Sequence, residues 1–185
     1  MVLNEVEKFL SDLEKAELDA PGGVASAQTY AQLLAVYLYQ NDLCNAKYLW
    51  KRIPSNIKSA NAELGQIWVV GQRMWQRDWT AVHIALNAEW SEDVSDIMSA
   101  LKDNVRERAM MLISKAYSSL GLTVMASMTG LSLDDAKKAA IERGWSIDGT
   151  MVQPCKMEKV DSNLDVCLTE DQLHKLREFV SFLEN

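Results

Sequence analysis

Over residues 3–118 apolar side chains recur at three- and four-residue steps, and breaks interrupt these runs at short intervals. This pattern constrains the fold more than any other, because it predicts a succession of short helices, each burying one stripe. Leu3, Val6, Leu10 and Leu13 form the first stripe, with Glu5, Glu7, Asp12 and Glu14 directed away from it. That helix stops near Ala20, because Pro21-Gly22-Gly23 is costly inside a helix. AQTYAQLLAVYLYQ predicts a second helix with Leu34, Tyr37 and Leu38 at packing spacing, and LCNAKYLWKRI a third that ends before Pro54. Only Asn41-Asp42 separates the two, and small Ala46 sits at a contact position, which reads as a helical hairpin. Ser55 is expected to cap a helix over 56–77, and Asp78 one reaching about residue 89. Ser91, followed by acidic Glu92 and Asp93, starts a stretch running to 118. Residues 1–120 therefore read as a stack of helical hairpins, TPR-like in kind, without a clean sequence repeat.

The pattern changes after Gly121. TVMASMTG predicts a short helix ended by Gly130, and Ser132 with Asp135 starts another over DDAKKAAIER that Gly144 closes. WSIDGTMVQP then places two short apolar runs around Asp148-Gly149, a tight-hairpin signal. Helix, turn, helix and hairpin in that order spell a winged-helix subdomain over 121–156. A polar connector follows at 157–168. Thr169 and Gln172 then fit a capping box opening a C-terminal helix over 169–185, with Leu173, Leu176, Val180 and Leu183 on one stripe beside Phe179. An isolated helix of this length is marginal in water, so it needs a docking surface, either its own core or a partner.

The stretch WVVGQRMWQRDW holds half of the six tryptophans and interleaves Arg73 and Arg77 with them. Aromatic and basic residues that converge on one groove can hold single-stranded nucleic acid. On a helix, however, Trp68 and Trp75 fall almost on one line with Gly71 near them, and the arginines point to the opposite face. We therefore expect Trp50, Trp68, Gly71 and Trp75 to be structural core. Gly71 weakens a helix and is expected where another backbone comes close.

A net charge of -7 argues against wholesale polyanion binding. The second winged-helix segment supports this, since Asp134, Asp135 and Glu142 offset Lys137, Lys138 and Arg143. Three cysteines without a CxxC read as reduced thiols, and the acidic first residues contain no apolar signal segment. The longest apolar run, LLAVYLY, is far below the ~20 residues a membrane span needs, so an intracellular soluble protein is expected. His83 and His174 lie in different segments. No HExxH, GxGxxG, GxxxxGK[ST] or GxSxG occurs, which leaves metal, nucleotide and nucleophile chemistry without a motif and predicts no cofactor.

A helical-hairpin stack leading into a winged helix and a terminal helix resembles the PCI domain. That module is shared by subunits of the proteasome lid, the COP-9 signalosome and translation initiation factor three. YLWKRIP, GQRMWQRDW, the Trp90-Ser91 pair, ERGW at 142–145 and the ending LREFVSFLEN are similar to the family of the smallest PCI subunits of the signalosome, over residues 18–185. The resemblance implies a non-catalytic scaffold subunit of the complex that removes the ubiquitin-like modifier from cullins and so regulates cullin-RING ubiquitin ligases. The isopeptidase zinc site would lie on a different subunit. It further implies cytoplasmic and nuclear location, neighbours among the other PCI subunits (the third above all), and no nucleic-acid or membrane partner. Leu173, Leu176, Phe179, Val180 and Leu183 would join a shared C-terminal helical bundle. Met151 and Gln153, on the strand expected at the edge of the wing, would pair with a neighbour's sheet as far as Pro154 allows. A lid subunit of the proteasome or a nucleic-acid-binding winged-helix regulator is the alternative.

Overall fold

A computed structural model describes residues 3–155, with side chains from Val6 onward, together with Arg177. The chain divides into Met1–Cys155, one compact unit, and Lys156–Asn185. The first unit is the one described below. The connector expected at 157–168 and the helix expected at 169–185 fall outside the described residues, Arg177 apart.

The elements in order are α1 (Leu3–Leu18), a 3-10 turn (Pro21–Gly23), α2 (Ala27–Tyr39), α3 (Leu43–Arg52), α4 (Ser55–Ala60), α5 (Ala62–Gln76), α6 (Trp79–Leu86) and α7 (Glu92–Ala116). They are followed by β1 (Leu120–Gly121), α8 (Leu122–Thr129), α9 (Leu133–Glu142), β2 (Ser146–Asp148) and β3 (Met151–Gln153). The described chain is thus mostly helical with a small antiparallel sheet of three strands. Its helix starts are set locally by side-chain oxygens that accept otherwise unpaired backbone N–H groups. Ser26 accepts from Thr29, Asp42 from Asn45, Asp78 from Ala81 and Ser132 from Asp135.

Two expected starts differ. The helix expected over 56–77 is two helices, because Asn61 takes an extended φ of −124° and its side-chain carbonyl accepts from the Leu64 N–H at 3.1 Å. Ser55 is the first residue of α4, after Pro54, and makes no cap. Ser91 precedes α7 as expected, but its hydroxyl does not cap the helix. Its N–H and hydroxyl instead donate to the Glu63 carboxylate at 2.7 and 3.0 Å, fastening the start of α7 to the first turn of α5.

One chain reversal is built twice, 36 residues apart. Asn41 ends α2 at φ 61° and Arg77 ends α5 at φ 58°. In each case the next residue, Asp42 or Asp78, sends its N–H back to the carbonyl five residues earlier, that of Tyr37 (2.9 Å) or Arg73 (3.1 Å). The same aspartate then caps the following helix. Leu34 and Val70, Leu38 and Met74, and Ala46 and Val82 are buried at the same offset. The repeat is therefore carried by turn geometry, burial and the matching pairs Gln40/Gln76 and Asp42/Asp78, while the other positions differ.

Buried apolar side chains form two clusters. The larger joins α1, α2, α3, α5 and α6 with the first part of α7, to Val105. The smaller joins Met110 and Ile113 of α7 with β1, α8, α9, Trp145 and Val152 of β3. His83 on α6 lies where the two meet. It is buried, and its Nε2 is 3.2 Å from the Met128 carbonyl of α8. Gly130 closes α8 at φ 64°, and a Cβ there would fall 2.4 Å from the His83 ring. Across the hairpin Asp148 faces Met151, so Gly149, at φ 58°, and Thr150 form the two-residue turn.

Candidate interaction site

On α3 and α5 the tryptophans are arranged in steps along the helices. Trp50 and Trp68 stack with centroids 5.3 Å apart and planes 9° from parallel, half-buried against the larger cluster. One turn on, Gly71 is buried, and a Cβ there would sit 3.0 Å from Leu38 Cδ2 on α2, so the absent side chain lets the two helices approach. Trp75 departs from the expected core set, with 51% of its surface exposed. Its line on the helix matches that of Trp68, but seven residues further along the axis α3 offers Lys47 where it offered Trp50. The Lys47 ammonium lies 4.6 Å from the Trp75 ring centroid, and that of Lys58 on α4 lies 4.8 Å from the Trp50 ring. Between α3 and α5 remains an apolar cleft of about 120 Å³, floored by Leu38, Ala46, Trp68 and Gly71 and rimmed by Lys47 and Trp75. Arg73 is exposed and donates to Gln76 at 3.2 Å, and Arg77 is exposed at the end of the helix.

The cations that meet these rings therefore come from α3 and α4, not from the arginines interleaved with the tryptophans in the sequence. The signal was present in the sequence as Lys47 and Lys58, but only the packing of α3 and α4 against α5 joins them to Trp75 and Trp50.

The expected wing edge also needs correction. The strand order is β1-β3-β2, so Met151 and Gln153 lie on the central strand. Met151 faces Gly121 of β1 on one side and Asp148 of β2 on the other, and Gln153 faces Ser146. The two residues of β1 are too few to show a strand pattern in sequence, which is why β3 read as an edge. The outer strands are β1 and β2. Leu173, Leu176, Phe179, Val180 and Leu183 lie outside the described residues.

Electrostatics elsewhere is local. The Tyr37 hydroxyl donates to Glu14 at 2.7 Å, and burial together with that carboxylate pushes its pKa up to about 12. Arg52 makes a two-pronged pair with Glu17, both contacts 2.7 Å, which raises its pKa further. Burial lowers the pKa of His83, and the charges of Arg106 and Lys102 add to that effect against the Met128 hydrogen bond. Among the described residues, no three His, Cys, Asp or Glu side chains gather where they could hold a metal ion, and no helix is long and apolar enough to cross a membrane.

Comparison with known proteins places the chain in a family. The model of the CSN8/PSMD8/EIF3K family matches residues 24–162. The chain is 46% identical over 182 residues to COP9 signalosome complex subunit 8 of Xenopus laevis, covering 97% of this chain and 92% of the relative. To the protein of the same name from Danio rerio it is 44% identical, covering 97% and 94%. The Drosophila melanogaster protein of that name is 33% identical over the full length of both chains. The chain belongs to the CSN8/PSMD8/EIF3K family.

Proposed function

We propose that this chain is a non-catalytic interaction subunit of the COP9 signalosome, contributing surfaces rather than reacting groups to the deneddylation of cullins. The observation that carries this reading is the similarity, over nearly the whole of both chains, to proteins named subunit 8 of that complex. The order of elements supports its architectural part. Two hairpins, α2–α3 and α5–α6, share one turn geometry, and α8, α9 and the β2–β3 hairpin follow in winged-helix order, as expected of a PCI domain. In this reading residues 1–120 are the repeat region, 121–156 the winged helix, and 169–185 the segment that joins the other subunits' C-terminal helices in a bundle. The neighbour is the third subunit, and the complex works in cytoplasm and nucleus.

Affinity purification of the tagged full chain, with quantitative mass spectrometry, tests the reading. The other signalosome subunits should co-purify in equal stoichiometry. Recovery of proteasome-lid subunits in their place, or of none, overturns it. Deleting 169–185 should leave Met1–Cys155 folded and abolish incorporation. Normal co-purification of that truncation would remove the bundle from the proposal.

A further inference from the structure

Charge is distributed very unevenly along this acidic protein. From Asp42 to Asp78 the chain carries Lys47, Lys51, Arg52, Lys58, Arg73 and Arg77 against three acids, Asp42, Glu63 and Asp78, which leaves 13 of the 19 cations and 23 of the 26 acids for the rest of the chain. Arg52 is taken up by Glu17, and Glu63 receives the Ser91 hydrogen bonds. Among the described residues, Lys47, Lys51, Lys58, Arg73 and Arg77 are in no ion pair. Lys47 and Lys51, four apart on α3, share one face of that helix. Lys47 rims the apolar cleft between α3 and α5, and exposed Trp75 stands at the same rim.

We propose that this cleft and its lysine rim form a docking site for an acidic segment of a partner protein that inserts one large apolar side chain. The cleft, at about 120 Å³, is well below the several hundred Å³ of a small-molecule or cofactor pocket and suits a single side chain. Its floor is apolar, and its rim carries Lys47 with Lys51 one turn further along α3, so the complementary segment carries carboxylates beside an apolar anchor. Single-stranded nucleic acid fits less well. Base stacking needs open ring faces, whereas Trp50 and Trp68 cover one another and lysine ammoniums lie over Trp50 and Trp75. The site does not depend on which assembly the chain enters.

The test places a benzophenone photo-crosslinking amino acid at exposed Gln72, on the cleft wall, in the full-length chain expressed in cells. The adducts are then digested and sequenced by mass spectrometry. The expected adduct is a partner-protein segment of net negative charge with a large apolar residue at its centre. Its yield should fall about fivefold with Lys47→Glu and Lys51→Glu together, the scale of losing two exposed ion pairs, while the thermal midpoint of the purified protein stays unchanged. Trp75→Ala should lower the yield as well. Adducts to nucleic acid, to a second copy of this chain, or to neutral or basic segments overturn the proposal. A yield indifferent to the charge reversals, or no adduct from the folded protein, does so equally.

Discussion

In the larger apolar cluster α2 and α5 are closed by Asn41 and Arg77, residues with full side chains held at φ 61° and 58°. In the smaller cluster α8 is closed at nearly the same angle, 64°, by Gly130. A positive φ costs an ordinary residue about 1–2 kcal/mol, so conformation alone does not explain why one site is a glycine and the others are not. Space does. Asn41 and Arg77 are exposed, whereas at Gly130 the first side-chain carbon would enter the imidazole of His83. The comparison separates two reasons for glycine that sequence reading merges: freedom of the backbone, and room for a neighbour.

Gly130→Ala should break the smaller cluster's junction with α6, at a cost of about 3 kcal/mol or more from combined overpacking and left-handed strain. Urea denaturation measures it, and a cost no greater than that of Asn41→Ala would dissolve the distinction. Adding His83→Ala to that variant should recover part of the loss, because the clash is with that ring.

The His83 junction also carries a pH dependence that the Asn41 and Arg77 turns lack. Its folded pKa lies below the ordinary 6.5, chiefly through burial, so below 6.5 the unfolded chain binds the extra proton. Its stabilising effect is complete above pH 6.5 and is lost as pH falls from there towards the lower folded value. The slope of that loss cannot exceed about 1.4 kcal/mol per pH unit for a single proton. Thermal midpoints compared between pH 7.5 and 5.5 should fall more steeply in the native sequence than in His83→Gln, and parallel slopes would argue against the assignment.

Removing either aspartate of the repeated turn, Asp42→Ala or Asp78→Ala, should cost about 1 kcal/mol, the usual worth of a helix N-cap. Similar losses at both would sharpen the view that the two turns are one device. The smallest effect has the opposite sign. Arg77→Gly relieves the positive φ in open space and should raise stability by roughly 0.5–1 kcal/mol, seen as a higher denaturation midpoint.

Most helix boundaries were readable because their signals are local: Pro21-Gly22-Gly23, Asp42, Asp78, Ser132 and Gly130 act within a turn of themselves. Asn61 is also a local signal, accepting from the Leu64 N–H three residues on, but it sits inside an unbroken apolar pattern. Most other misreadings involved partners distant in sequence. The two residues of β1 became a strand only by pairing with β3, which turned Met151 and Gln153 from edge into centre. Trp75 shares a helical line with Trp68, yet its burial depended on what α3 presents at that level, and α3 presents Lys47. The aromatic–lysine face was hidden for the same reason, since its parts come from three helices. The 36-residue repeat escaped because beyond Gln40/Gln76 and Asp42/Asp78 the two segments match in φ and burial rather than in residue type.

Helix α7 runs for 25 residues, roughly 37 Å, and contributes side chains to both apolar clusters. Loss of either cluster strips this helix of part of its cover, Val94 to Val105 on one side or Met110 and Ile113 on the other. Loss of structure is therefore expected as a single cooperative event rather than two. A destabilising lesion in the small three-stranded sheet should then also cost the lysine-rimmed cleft on α3 and α5. In a cell such a lesion would register first as lost abundance of the whole protein, and only through that as lost binding.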